Sequence, residues 1–180
     1  MAAGAGNIYL AGMVGSGKTT LGRLIAKELV QPFLDLDAEI LAETGQDLHG
    51  LVGAEGWLGF RVREYEMVKR FVAETNQVIG LGGGTVRYPW NLDLLAGTGP
   101  IVLLTADLDV LAARARAADR PRVNEGRTLE EDLAEIWESA GERYLAAADI
   151  VYATDEGKSA TEEAAEIAAL VDAWREAAKA

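Results

Sequence analysis

Gly12-Met13-Val14-Gly15-Ser16-Gly17-Lys18-Thr19 fills every fixed position of the pattern G-x-x-x-x-G-K-[ST]. An apolar run, Ile8-Tyr9-Leu10-Ala11, precedes it, and a helical pattern from Thr20 to Lys27 follows. Strand, glycine loop and helix in that order form the setting in which this motif binds phosphate. Its glycines let successive backbone N–H groups, including those at Ser16 and Gly17, turn toward phosphate oxygens. The helix N-terminus beneath Thr19 and Thr20 adds a positive dipole end. Lys18 is placed to reach the β- and γ-phosphates, and the Thr19 hydroxyl to ligate Mg²⁺. The expected ligand is therefore a nucleoside triphosphate with its magnesium ion.

The rest of the chain repeats the alternation. Strand-length apolar runs recur at Ile8 to Met13, Phe33 to Leu36, Val78 to Leu81, Ile101 to Leu104 and Ile150 to Ala153. Helical spacing fills the gaps: Leu21, Leu24, Ile25 and Leu29; Tyr65, Val68 and Val72; Leu129, Leu133, Ile136 and Trp137. An Ala- and Glu-rich stretch from Ala160 to Ala178 closes the chain. Such alternation predicts an α/β fold, a parallel sheet covered by helices on both faces. Ligands of such sheets bind outside the carboxyl ends of the strands. Those ends carry Gly12 to Thr19, Asp35 to Asp37, Gly82 to Gly84 and Thr105. With 180 residues, 49% of them hydrophobic and 26% charged, the chain suits one domain spanning 1–180. Residues 1–6 read as a short flexible leader.

Composition narrows the function. The chain has no cysteine, which excludes disulfides, thiolate catalysis and Cys-based metal sites. A formal net charge of −12 speaks against a nucleic-acid surface. No apolar run approaches a membrane span. A cytoplasmic, monomeric enzyme is expected, with a local basic pocket for an anionic substrate.

Four further groups carry chemistry. Asp35 and Asp37 are expected to share a side of the second strand by alternation. One would hold the Mg²⁺ shell, and the other would accept a proton from an attacking hydroxyl. The structural alternative for Asp37 is a plain cap on a helix from Ala38 to Glu43. Gly82-Gly83-Gly84 would expose N–H groups and let a ligand approach closely. Arg61, early on a helix, could fork onto a carboxylate. Finally, Arg114, Arg116, Arg120, Arg122 and Arg127 crowd a segment whose part from about 117 to 127 has the length and composition of a lid. The single histidine, His49, reads as incidental, and the four tryptophans as packing residues.

Taken together, Gly12-x-x-Gly15-x-Gly17-Lys18-Thr19-Thr20, Phe33-x-Asp35-x-Asp37, Gly56-Trp57-x-Gly59-Phe60-Arg61-x-x-Glu64, Gly82-Gly83-Gly84, Arg120-Pro121 and Tyr144-x-x-x-Ala148-Asp149 resemble the shikimate kinases. These are small members of the nucleoside-monophosphate-kinase-like P-loop family, and the resemblance runs from about Ile8 to about Thr154. It implies a five-stranded parallel sheet ordered 2-3-1-4-5 and phosphorylation of the 3-hydroxyl of shikimate by ATP. By resemblance, Asp37 binds the shikimate hydroxyls and helps deprotonate the attacked one, while Arg61 grips the carboxylate. Gly82, Gly83 and Gly84 contact substrate. Thr19 and Asp35 match the Mg²⁺ positions, Arg120 the lid arginine, and Arg114 the arginine that stacks on adenine. Two departures stand out. Ala140 occupies the position of a second carboxylate-binding arginine, for which Arg143, one turn away if helical, is the expected substitute. The lid's usual Arg-Pro-Leu-Leu is Arg120-Pro121-Arg122-Val123. The rival readings are a kinase for another polyhydroxy acid such as gluconate, and a catalytically silent relative that binds nucleotide or a partner protein.

Overall fold

The computed structural model describes residues 6–118 and 120–179. Of the expected leader, Met1 to Ala5 lie outside the described residues, as does Asp119 within the expected lid. Five strands, β1 (Ile8–Ala11), β2 (Phe33–Asp35), β3 (Val78–Gly80), β4 (Ile101–Thr105) and β5 (Ile150–Ala153), form one sheet in the order 2-3-1-4-5. All four pairings are parallel. Parallel strands need crossover connections, and helices supply them here. They are α1 (Lys18–Glu28), α2 (Leu36–Thr44), α3 (Leu48–Phe71), α4 (Pro89–Leu95), α5 (Leu108–Ala115) and α6 (Leu129–Ala147), while α7 (Ala160–Ala177) follows β5.

Alternation along the buried strands splits the core in two. Tyr9, Ile79, Ile101 and Leu103 pack on one face with residues of α2, α3, α5 and α6. Ile8, Leu10, Val78, Val102 and Leu104 pack on the other with α1 and α7. This double coverage explains why the strands read as unbroken apolar runs.

Two boundaries differ from the sequence reading in ways that matter. The second strand stops at Asp35, which caps α2 by accepting a hydrogen bond from the Ala38 amide at 3.2 Å. The cap is thus Asp35, and Asp37 lies inside the first helical turn. The two carboxylates project from a strand end and a helix start, so strand alternation does not relate them. The helix carrying Arg61 is also longer than expected. It runs 24 residues, but Gly56, at φ 69° and ψ 174°, breaks it. Arg61 is therefore early in the segment that restarts at Trp57.

At the amino edge of the sheet, Asn7 is fully buried. Its amide nitrogen donates to Glu74 O at 2.9 Å, Phe71 O at 3.3 Å and Tyr9 Oη at 3.1 Å. Its carbonyl accepts from the Gln77 amide at 3.1 Å. One side chain thus ties β1 to the end of α3 and the entry of β3. Leaving such groups unpaired costs about 1–3 kcal/mol each. Asn7→Ala should therefore destabilise the fold by about 2–4 kcal/mol, lowering Tm by roughly 4–16 °C for a chain of this size. Because Asn7 sits at the edge opposite the phosphate loop, the Michaelis constants should not move. Calorimetry beside steady-state kinetics checks both halves.

Candidate functional site

The phosphate loop leaves β1 and enters α1 at Lys18, with Gly17 as N-cap in the left-handed region at φ 94°. The Lys18 ammonium is folded inward, donating to Gly12 O at 2.8 Å and Met13 O at 3.0 Å. Burial pushes its pKa down to about 8, against the opposing pull of Asp37. A bound phosphate would offset that burial. Ser16 is fully buried, and its Oγ has no hydrogen-bond partner. Across the loop mouth, Thr19 Oγ1 donates to Asp35 Oδ2 at 2.6 Å. These are hard oxygen donors suited to Mg²⁺, which takes few protein ligands and keeps several waters. No cluster of three or more His, Cys, Asp or Glu forms a metal site among the described residues. Such an ion would arrive with the phosphates.

Two clefts meet at this edge. The larger follows the loop past Thr19, Thr20 and Asp35 to Arg114, Thr154 and Lys158. Arg114 is fixed there by Thr154, donating to its Oγ1 at 2.9 Å and its carbonyl at 2.7 Å. Lys158 was not singled out by the sequence reading. It reaches this cleft from the β5–α7 connection and pairs with Glu166 at 2.8 Å.

The smaller cleft is lined by Asp37, Trp57, Arg61, Gly83, Gly84, Arg87, the segment from Arg120 to Val123, and Tyr144. Arg61 is buried, and its Nη1 donates to Glu64 Oε1 at 2.8 Å. The rings of Phe60, Trp57 and Tyr88 surround its guanidinium at 5.2, 5.3 and 5.5 Å. Burial pushes the Glu64 carboxyl up, while Arg61 and the Thr85 hydroxyl at 2.7 Å favour its charged form. Burial opposes charge on Arg61 too, but Glu64 outweighs it, and the guanidinium stays charged.

The glycines matter for approach. A Cβ on Gly82 would lie 2.6 Å from Glu64 Oε1 and 2.8 Å from Asp37 Oδ1, and one on Gly84 would lie 2.9 Å from Arg61 Nη1. The Tyr144 hydroxyl donates to Gly83 O. Burial pushes its pKa up to about 12, so it remains a donor.

The segment expected to serve as a lid lines this cleft from Arg120 to Val123. Arg120 Nη1 donates to Asp37 Oδ2 at 2.7 Å. Asp37 Oδ1 is buried without a hydrogen-bond partner among the described residues. Three contacts seat the lid backbone. Val123 N and Asn124 N donate to the buried Asp132 carboxylate at 3.1 and 2.8 Å, and Trp57 Nε1 donates to Arg122 O at 3.1 Å. Trp57 thus serves the lid as well as packing, and Asp132 is an anchor the sequence reading missed.

Arg143 does not take the expected place. It is exposed on α6 and lines neither cleft. Three residues along an α-helix advance about 300°, which leaves position 143 about 60° away from the direction of position 140. Ala140 and Tyr144 are the buried pair on that face. His49, in the first turn of α3, is exposed and lines neither cleft.

Comparison with known proteins agrees with this geometry. Residues 14–172 match the sequence profile of the shikimate kinase family. The shikimate kinase of a Psychrobacter species is 36% identical over 154 residues, covering 84% of each chain. That of Symbiobacterium thermophilum is 46% identical over 110 residues, 61% of this chain and 63% of that one. Among solved structures, shikimate kinase from Acinetobacter baumannii in complex with shikimate superposes with a TM-score of 0.87 at 30% identity, over 94% of each chain. A gluconokinase from Sinorhizobium meliloti shares the fold, at a TM-score of 0.56 and 19% identity over 94% of this chain and 95% of that one. This chain belongs to the shikimate kinase family.

Proposed function

We propose that this protein transfers the γ-phosphoryl group of ATP to the 3-hydroxyl of shikimate. The observation that carries the reading is that Asp37 and Arg120 line both clefts. Phosphoryl transfer needs a proton acceptor and a cation where the two substrates meet. The new bond joins the shikimate oxygen to the γ-phosphorus. The bond to the β–γ bridging oxygen breaks, and the hydroxyl proton passes to Asp37. Lys18 holds the β- and γ-phosphates, and Arg114 lies toward the adenine end. Mg²⁺ at Thr19 and Asp35 would neutralise phosphate charge. Arg61 and the Gly82–Gly84 loop hold the acceptor. Catalysis is then mostly positioning and charge neutralisation in a site closed from water.

The gluconate alternative rests on fold likeness alone, whereas the shikimate-bound relative matches more closely in both fold and sequence. A silent binding protein would have no use for Lys18, Asp37 and Arg120 at one junction. The reading also places the protein in the cytoplasm, where ATP is at hand. It works as a monomer, since one chain supplies every group named. Among the described residues, no helix is long and apolar enough to cross a membrane.

Asp37→Asn keeps size and removes basicity. It should lower turnover about 10²- to 10⁴-fold while ATP titrates as in the wild type. Near-normal turnover would reduce Asp37 to a structural residue.

The lid gives a second test. Asp132→Asn weakens two charge-assisted hydrogen bonds to the lid backbone. Amide exchange at Val123 and Asn124 should quicken by about tenfold or more, with protection in β4 unchanged. Arg120→Ala, by contrast, should reduce kcat far more than ATP affinity. Unaltered exchange in the first variant, or an equal loss of kcat and affinity in the second, would count against lid closure as described.

A further inference from the structure

Four arginines line the smaller cleft: Arg61, Arg87, Arg120 and Arg122. Three of them already have partners. Arg61 is paired with buried Glu64 at 2.8 Å, Arg120 with Asp37 at 2.7 Å, and Arg122 Nη1 donates to the carbonyl of Arg120 at 3.0 Å. Arg87 is half-buried, and among the described residues its guanidinium has no carboxylate or carbonyl partner. A carboxylate entering this cleft beside Arg61 would meet a pair whose charges largely cancel.

The backbone says where Arg87 stands. Thr85–Arg87 form a 3-10 turn that starts from Gly84, with the Arg87 amide donating to Gly84 O at 3.1 Å. In a 3-10 turn, residues three apart lie one above the other. Arg87 therefore shares a side of the turn with Gly84, the residue that abuts the Arg61 guanidinium. The facing wall comes from α6, which packs on this turn. There, Ala140 is buried and carries no charge, and Tyr144 is held to Gly83 O. Arg87 acts on Tyr144 electrostatically, favouring its ionised form.

Resting on the proposed reaction, we infer that Arg87 is the second cation for the shikimate carboxylate. It does the work from the turn after the triple glycine that neither Ala140 nor Arg143 performs from α6. Arg61 fixes one side of the carboxylate, and Arg87 supplies the charge that Glu64 cancels on Arg61. Arg87 touches substrate remote from the reacting oxygen, so its effect falls on binding.

The test measures KM and kcat for shikimate and for ATP, together with calorimetric affinity for shikimate and for its uncharged methyl ester. The wild type, Arg87→Ala and Arg87→Lys are compared. Loss of one charge-assisted contact should raise the shikimate KM of Arg87→Ala about ten- to a hundredfold. kcat and the ATP constant should change little, as for a contact made equally in ground and transition states. Arg87→Lys should recover part of the loss. Affinity for the methyl ester should be the same in all three proteins, within about twofold. Equal losses for shikimate and its ester would show that Arg87 only shapes the loop, overturning the assignment. So would an unchanged shikimate KM in Arg87→Ala. A wild-type protein that neither binds nor phosphorylates shikimate would instead remove the proposed function, and this inference with it.

Discussion

Five parallel strands cannot end on alternating edges of a sheet. That constraint arranges everything else in this molecule. Each strand leaves at its carboxyl end, and the next helix carries the chain back. The phosphate loop, Asp35 and Asp37, the glycine loop and Thr154 thus emerge side by side, although up to 142 residues separate Gly12 from Thr154 in the sequence. Double helical coverage keeps the sheet dry on both faces, and polar chemistry is confined to this edge. The order 2-3-1-4-5 puts β1 at the centre. The Gly12–Thr19 loop is therefore flanked by β3, with the glycines proposed to meet the acceptor, and by β4, which leads to α5 and Arg114.

Charge is distributed against the grain of the composition. The chain carries a net −12, yet its clefts gather Lys18, Arg61, Arg87, Arg114, Arg120 and Arg122. Unpaired cations packed this closely would repel, and buried ones would lose solvation. The fold answers with a set of inward-facing anions. Glu64 holds Arg61, and Asp37 holds Arg120. Asp132 instead spends its charge on lid amides. Among the described residues, Lys18 has no carboxylate in contact, only loop carbonyls, and its burial lowers its pKa.

How much of this the sequence disclosed depends on the range of the interaction. The phosphate loop is a local motif with fixed spacing, and Gly12 to Thr20 lie where the motif puts them. Asp35 and Asp37 also arrive at the site, but by a strand-to-helix junction that period-two alternation could not reveal. Arg61 and Glu64 stand three apart on one helix and pair there, whereas the sequence reading kept Arg61 for a substrate carboxylate and did not join it to Glu64. What stayed hidden depends on packing between distant elements. Nothing near Asp132 in sequence says that it will hold Val123 and Asn124, or that Trp57 will reach Arg122 across 65 positions. The signal that could have found Arg87 is faint: an arginine three residues after a triple glycine, which becomes meaningful only once that segment is a 3-10 turn. Arg143 shows the reverse error. Spacing placed it near position 140, and the helical angle carried it to solvent.

Asp37 joins these strands of the argument because its two oxygens have different surroundings. Oδ2 is held by a lid arginine whose side chain is 38% exposed. The pair is thus exposed to solvent on its arginine side only. Oδ1 is buried against the glycine loop, without a hydrogen-bond partner. In the proposed reaction, a substrate hydroxyl that reaches Oδ1 meets an acceptor with no hydrogen-bond donor among the described residues. Arg120 is free to turn from Oδ2 toward phosphoryl oxygens once their charge exceeds that of the carboxylate. In the proposed reaction, one carboxylate holds Arg120 and receives the proton through separate atoms. The absence of a side chain at Gly82 keeps the second of those atoms within reach.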